Sequence, residues 1–67
     1  MGIEVILRDG GKHTITDEQI DLWQKLYPDV NVREEIQMLQ KVWETEKRSR
    51  KTAGNINRHI NRYLNVL

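Results

Sequence analysis

The feature that most constrains the fold is the lack of any covalent cross-link, because the 67-residue chain has no cysteine. Disulfides and thiolate metal sites are excluded, and a cysteine-free chain is typical of a reducing, cytoplasmic environment. A chain this short buries little of its surface, so almost every large apolar side chain must enter one core. We expect one small domain over residues 1–67, stabilised by helix packing and without room for an enclosed active site.

The first fifteen residues predict a β-hairpin (1–15). Ile3-Glu4-Val5-Ile6-Leu7 is rich in β-branched residues, and Asp9-Gly10-Gly11 supplies residues that accept positive φ in a tight turn. Residues 12–15 can then return as the second strand. Because a lone hairpin is marginal in water, we expect helices to cover its apolar face. The members of that face are Ile3, Val5, Leu7 and Ile15.

Three helices should follow, each with its own start signal. Thr16 is a good N-cap for a helix over 16–27, which Pro28 ends. Asn31 can cap a second helix over 31–45, and Thr52 a third over 52–66. Apolar side chains at helical spacing are Ile20, Trp23, Leu26 and Tyr27 in the first helix, Val32, Ile36, Leu39 and Trp43 in the second, and Ile56, Ile60, Tyr63, Leu64 and Leu67 in the third.

The predicted fold is therefore α+β and mainly α, with an N-terminal β-hairpin followed by a three-helix bundle. An arrangement of the last two helices similar to a helix-turn-helix is one expectation. Trp23 and Trp43 lie on the apolar stripes, so we expect them in the core rather than as platforms on which bases stack.

Charge is distributed very unevenly, although the net charge is only +1. Residues 1–46 carry five basic and ten acidic side chains, whereas residues 47–67 carry six basic and no acidic ones. This asymmetry indicates a polyanionic partner for the C-terminal third. The alternative is attraction between the two oppositely charged parts of one small domain, which contributes little through exposed pairs.

The cationic segment is the candidate functional site. Residues 47–51 come immediately before the expected third helix, whose free N–H groups favour an anion. The outer face of that helix carries Asn and Arg, whose planar, forked donors match phosphates and base edges. The predicted DNA-binding residues are Lys47, Arg48, Arg50, Lys51, Thr52, Asn55, Arg58 and Arg62. A merely solvated face is the alternative for the asparagines Asn55, Asn61 and Asn65.

Catalytic and cofactor chemistry has little support. Asp17-Glu18 and Glu34-Glu35 are explained by helix N-termini, and no glycine loop matches a nucleotide fingerprint. His13 and His59 have no metal-binding spacing, so we expect His59 to be packed or partly exposed. We therefore predict a non-enzymatic protein with no cofactor, no metal and, since no long apolar stretch is present, no membrane partner.

The Tyr27-Pro28-Asp29-Val30 turn is followed, in order, by Lys51-Thr52 and the Gly54 helix, and this combination is the most specific pattern in the chain. The order of residues resembles a C-terminal module of phage and prophage replication-initiation, replisome-organising or helicase-loading proteins, and the likeness covers nearly the whole chain. The chain departs from that module by having Glu44-Thr45-Glu46, Ala53, His59 and Tyr63. The resemblance implies a role in DNA replication.

These observations together predict a DNA-binding module of a phage or prophage replication-type protein, for single- or double-stranded DNA. If three or four phosphates are neutralised, log K should fall against log salt with a slope of roughly −3 for duplex DNA. One such module binds weakly, so it would work best in a longer protein or a homo-oligomer. The alternative is a protein-interaction module that docks on a replicative helicase, its loader or itself, which the acidic first part favours.

Overall fold

The predicted hairpin forms, and its turn explains the glycine at position 10. The computed structural model describes residues 2–67. Strands β1 (Ile3–Ile6) and β2 (Lys12–Ile15) pair antiparallel, with Ile3 opposite Ile15. Gly10 has φ of 88°, which L side chains rarely adopt. This register buries the predicted apolar face, which consists of Ile3, Val5, Leu7 and Ile15.

The first two helices begin at the predicted capping residues. Helix α1 spans Asp17–Leu26 and helix α2 spans Val32–Thr45. The side chains of Thr16 and Asn31 each accept a hydrogen bond from the backbone N–H three residues later. Each cap thereby satisfies a donor that has no partner inside its helix. The predicted bounds, 16–27 and 31–45, agree with the structure to within a residue.

Gln24 fixes the connection between α1 and α2. Its side-chain nitrogen donates to the carbonyls of Tyr27 and Val30, at 3.1 and 2.7 Å. Its side-chain oxygen accepts a hydrogen bond from the N–H of Val32 at 3.2 Å. One part-buried amide therefore satisfies three backbone groups of the turn, which would otherwise need water.

The third helix begins later than predicted. A short 3₁₀ helix spans Lys47–Ser49, and helix α3 spans Ile56–Asn65 rather than 52–66. The predicted cap, Thr52, instead uses its carbonyl to accept the N–H groups of Asn55 and Ile56, both at 3.0 Å. These bonds close a turn ahead of the helix. The connection 46–55 is thus longer than the three- or four-residue turn of a helix-turn-helix.

A single apolar core joins the hairpin to all three helices. It includes Trp23 and Trp43, as predicted. Two predicted members lie outside it, since Leu26 is 67% and Leu67 58% exposed. Leu26 lies on a different side of α1 from Ile20 and Trp23, which face the core. Leu67 lies beyond the end of α3, so helical spacing no longer applies to it.

Helix α2 lies against the hairpin and is tied to it by a side chain. Gln40 donates from its side-chain nitrogen to the carbonyl of Glu4 at 2.7 Å. This bond connects the middle of α2 to β1. Across residues 2–67, no helix combines the length and the apolar character that crossing a bilayer requires.

Candidate nucleic-acid interface

The basic linker, residues 47–51, is attached to the body of the domain through Arg50. The Nε of Arg50 donates to the carbonyl of Trp43 at 2.7 Å, and the side chain is part-buried. Trp43 lies in the last turn of α2, where carbonyls lack partners within the helix. The structure therefore gives Arg50 a role in the fold, which its prediction as a free phosphate contact did not include.

Arg8, in the turn that follows β1, contacts the basic linker from a distant part of the chain. Its backbone N–H donates to the carbonyl of Lys51 at 2.9 Å, and its Nε donates to the carbonyl of Arg50 at 3.3 Å. An exposed cation of the acidic part thus lies beside the linker. Arg8 is absent from the predicted site residues, because no local sequence pattern indicates a pairing across 42 residues.

Lys47 and Arg48 form a separate group with mixed charge. Both are exposed in the 3₁₀ helix, and they line a shallow concavity of about 480 Å³ with Thr45 and Glu46. The carboxylate of Glu46 accepts a hydrogen bond from the hydroxyl of Ser49 at 3.2 Å. This acid lowers the local positive potential, so the pair attracts a polyanion less strongly than its sequence suggests.

The outer face of α3 brings together three of the predicted residues. Asn55, Arg58 and Arg62 are all exposed, and with His59 they line a concavity of about 370 Å³. Their spacing of three and four residues places them on one side of the helix. The four side chains that line this concavity include no carboxylate, so its positive charge is not offset from within.

His59 lies at the border between this outer face and the core. Its ring centroid is 6.1 Å from that of Trp43, with the ring planes tilted by 52°. Burial lowers the pKa of His59 below its usual value of 6.5, and the charges of Lys51 and Arg62 lower it further. Because Lys51 contributes to this effect, the last cation of the linker also adds positive potential to the concavity.

Other side chains of α3 are held by the first two helices. The hydroxyl of Tyr27 donates to Oδ1 of Asn61 at 3.0 Å. The hydroxyl of Tyr63 donates to Oε1 of Glu35 at 2.8 Å, and this bond is the main reason that the pKa of Tyr63 is raised. These contacts assign Asn61 and Tyr63 to the fold and leave the outer face open.

Acidic residues of the first part do not form ion pairs with the C-terminal cations in the part of the chain that the structure describes. The two ion pairs found there join Lys12 to Glu4, at 3.6 Å, and Arg33 to Asp17, at 3.0 Å. Both lie wholly within residues 1–46. Direct ion pairing between residues 1–46 and residues 47–67 therefore does not explain the basic side chains of the outer face of α3.

Comparison with known proteins identifies no relative: no family model matches the chain, and no curated protein or solved structure matches it significantly. The resemblance to a phage replication module therefore stays a prediction. A proposal for the function therefore depends on the geometry and the charge of α3 and of the linker.

Proposed function

We propose that this protein is a non-enzymatic DNA-binding module of a phage or prophage replication-type protein, acting in the cytoplasm. The observation that carries the proposal is the outer face of α3, where Asn55, Arg58 and Arg62 line a concavity without a carboxylate. Lys51 adds its charge to the same place. Clustered, unpaired cations attract a polyanion because their potentials add and because counterions are released from its phosphates.

Each group in the interface has a distinct task. The guanidiniums of Arg58 and Arg62 can each donate two parallel hydrogen bonds to phosphate oxygens. They lie one helical turn apart, which is about 5–6 Å between Cβ atoms, so they can hold one phosphate or two neighbouring ones. Asn55 can donate to a further phosphate or to a base edge. Arg8, Lys47, Arg48 and Lys51 strengthen the attraction at longer range.

The test is a pair of double variants that remove the same charge from two places. Arg58→Ala with Arg62→Ala changes the proposed interface, whereas Lys25→Ala with Lys41→Ala removes two exposed cations from α1 and α2. Binding to labelled single- and double-stranded oligonucleotides is measured by fluorescence anisotropy over a series of salt concentrations.

We expect the interface variant to bind about tenfold or more weakly, and to lose about 0.9 from the salt slope for each phosphate contact removed. The control variant should bind within about twofold of the starting protein, because long-range charge alone is screened within about 10 Å at moderate salt. Equal losses in both variants would mean that only net charge matters. Undetectable binding by the starting protein would reject the proposal.

A second candidate function is favoured by exposed apolar side chains on α1. Leu22 is 57% and Leu26 is 67% exposed, and the two lie one helical turn apart. This pair favours a protein-interaction module that docks on a replicative helicase, its loader or a second copy of itself. Sedimentation of the protein and of Leu22→Ser with Leu26→Ser tests the self-docking form. Self-association that this variant abolishes, together with no DNA binding, would favour this second function.

A further inference from the structure

We propose that the concavity on α3 binds a DNA phosphodiester together with a proton, and that His59 is the residue that takes up the proton. The inference rests on the proposed function and adds regulation by pH to the same site. It makes the affinity for DNA increase as the pH falls below neutrality.

His59 is held in place by Trp43 and is still accessible from the concavity on α3. The ring packs against Trp43, with 6.1 Å between the centroids, and the residue is only half-buried. It also lines the concavity with Asn55, Arg58 and Arg62. A phosphate that the two guanidiniums hold would therefore lie close to the imidazole.

The charges around His59 favour its neutral form while the concavity is empty. Burial and the positive charges of Lys51 and Arg62 lower the pKa of its imidazole. The charge of Lys51 acts on the ring from the linker, and that of Arg62 acts from α3. Arg58 lines the same concavity, and the neighbour from α2 is the uncharged Trp43. At neutral pH, His59 therefore carries little charge.

A bound phosphodiester reverses this balance. It brings one negative charge among the same cations and offers an acceptor for an imidazolium N–H, and both effects favour the protonated form. The pKa of His59 is then higher in the complex than in the free protein. Thermodynamic linkage requires that binding takes up protons between those two pKa values and tightens as the pH falls through them.

The chain offers a direct control, because it contains two histidines. These are the side chains whose ordinary pKa lies between about pH 5 and 8. His13 lies in β2 opposite Val5, and the concavity that it lines includes neither Arg58 nor Arg62. Affinity for a duplex oligonucleotide is measured at constant ionic strength from about pH 8 to about pH 5.5, for the full chain and for His59→Gln and His13→Gln.

For a rise of about one unit in the pKa of His59 on binding, the starting protein should bind about tenfold more tightly at the low end of the range. His13→Gln should keep this dependence, and His59→Gln should lose it. The same pH dependence in His59→Gln as in the starting protein would overturn the inference.

A second measurement does not require a variant that folds. Nuclear magnetic resonance follows the ring protons of His59 across the same pH range, with and without the duplex. The midpoint of the titration should rise when DNA is bound. An unchanged midpoint in a protein that binds DNA through Arg58 and Arg62 would overturn the role of His59 and leave the proposed function intact. Failure to bind DNA at any pH would overturn both.

The lowered pKa of His59 also makes the stability of the free protein depend on pH. Because the pKa of His59 is lower in the folded state than its usual 6.5, the unfolded chain binds more protons in this range. Stability is therefore fully present above about pH 6.5 and decreases as the pH falls through the folded pKa. Circular dichroism at the lowest pH confirms that the binding measurements use folded protein.

Discussion

The inner and outer faces of α3 differ in what accounts for their residues. The inner face, Ile56, Ile60 and Leu64, is at most 1% exposed, and the fold accounts for every one of these side chains. The outer face carries Arg58 and Arg62, which are exposed and form no ion pair within residues 2–67. Packing within the domain therefore accounts for the residues of the inner face, whereas the outer face is where the proposed contact with DNA lies.

The largest expected effect is on the inner face. Ile60→Ala should lower the free energy of unfolding by about 2–5 kcal/mol, because it leaves a cavity in a fully buried site. Denaturation with guanidinium chloride, followed by circular dichroism, measures this change. Arg58→Ala, two residues earlier in α3 and on its outer face, is the matched control. A similar loss in both variants would show that the domain depends on its outer face as much as on its inner face.

The sequence predicts the elements that neighbouring residues encode. The Asp9-Gly10-Gly11 turn and the caps Thr16 and Asn31 are local signals, and the structure confirms the hairpin and both helix starts. Helical periodicity also predicts that Arg58 and Arg62 share a face. Each of these inferences needs only a few consecutive residues, so none depends on how the chain closes on itself.

The sequence does not predict which of several available partners a polar group takes. Thr52 has the side chain of a cap, but its carbonyl closes a turn and α3 starts at Ile56. The sequence predicts a free cation at Arg50, whereas in the structure its Nε donates to the carbonyl of Trp43. Arg8 belongs to the acidic part by position, yet it lies beside the basic linker. For Arg50 and Arg8, the packing of the linker against the rest of the domain decides which carbonyl each guanidinium contacts.

The side chain of Arg50, unlike those of the outer-face cations, forms a hydrogen bond within residues 2–67. Arg50→Ala should lower the free energy of unfolding by about 1–3 kcal/mol, since it leaves the carbonyl of Trp43 without its part-buried partner. Thermal melts monitor the change, with Arg48→Ala, an exposed neighbour, as the control. No difference between the two variants would show that the 2.7 Å bond contributes nothing to stability.

A substitution at Tyr63 tests the side of α3 that lies between its inner and outer faces. Tyr63→Phe removes the hydroxyl that donates to Glu35 and should cost about 0.5–1.5 kcal/mol. A double-mutant cycle with Glu35→Ala isolates the interaction, because each single variant removes the same bond. Additive effects in that cycle would mean that the two side chains do not act together.

The smallest expected effect on stability belongs to the outer face, where the effect on binding should be largest. Arg58→Ala and Arg62→Ala should each change the free energy of unfolding by no more than about 0.5 kcal/mol. Neither substitution opens a cavity or leaves a buried group unpaired, and Ala and Arg are both good helix formers. Chemical denaturation checks this value on the same preparations used for DNA binding. A loss above about 1 kcal/mol would show that the guanidiniums are needed within the domain, so weaker DNA binding by these variants would no longer identify an interface.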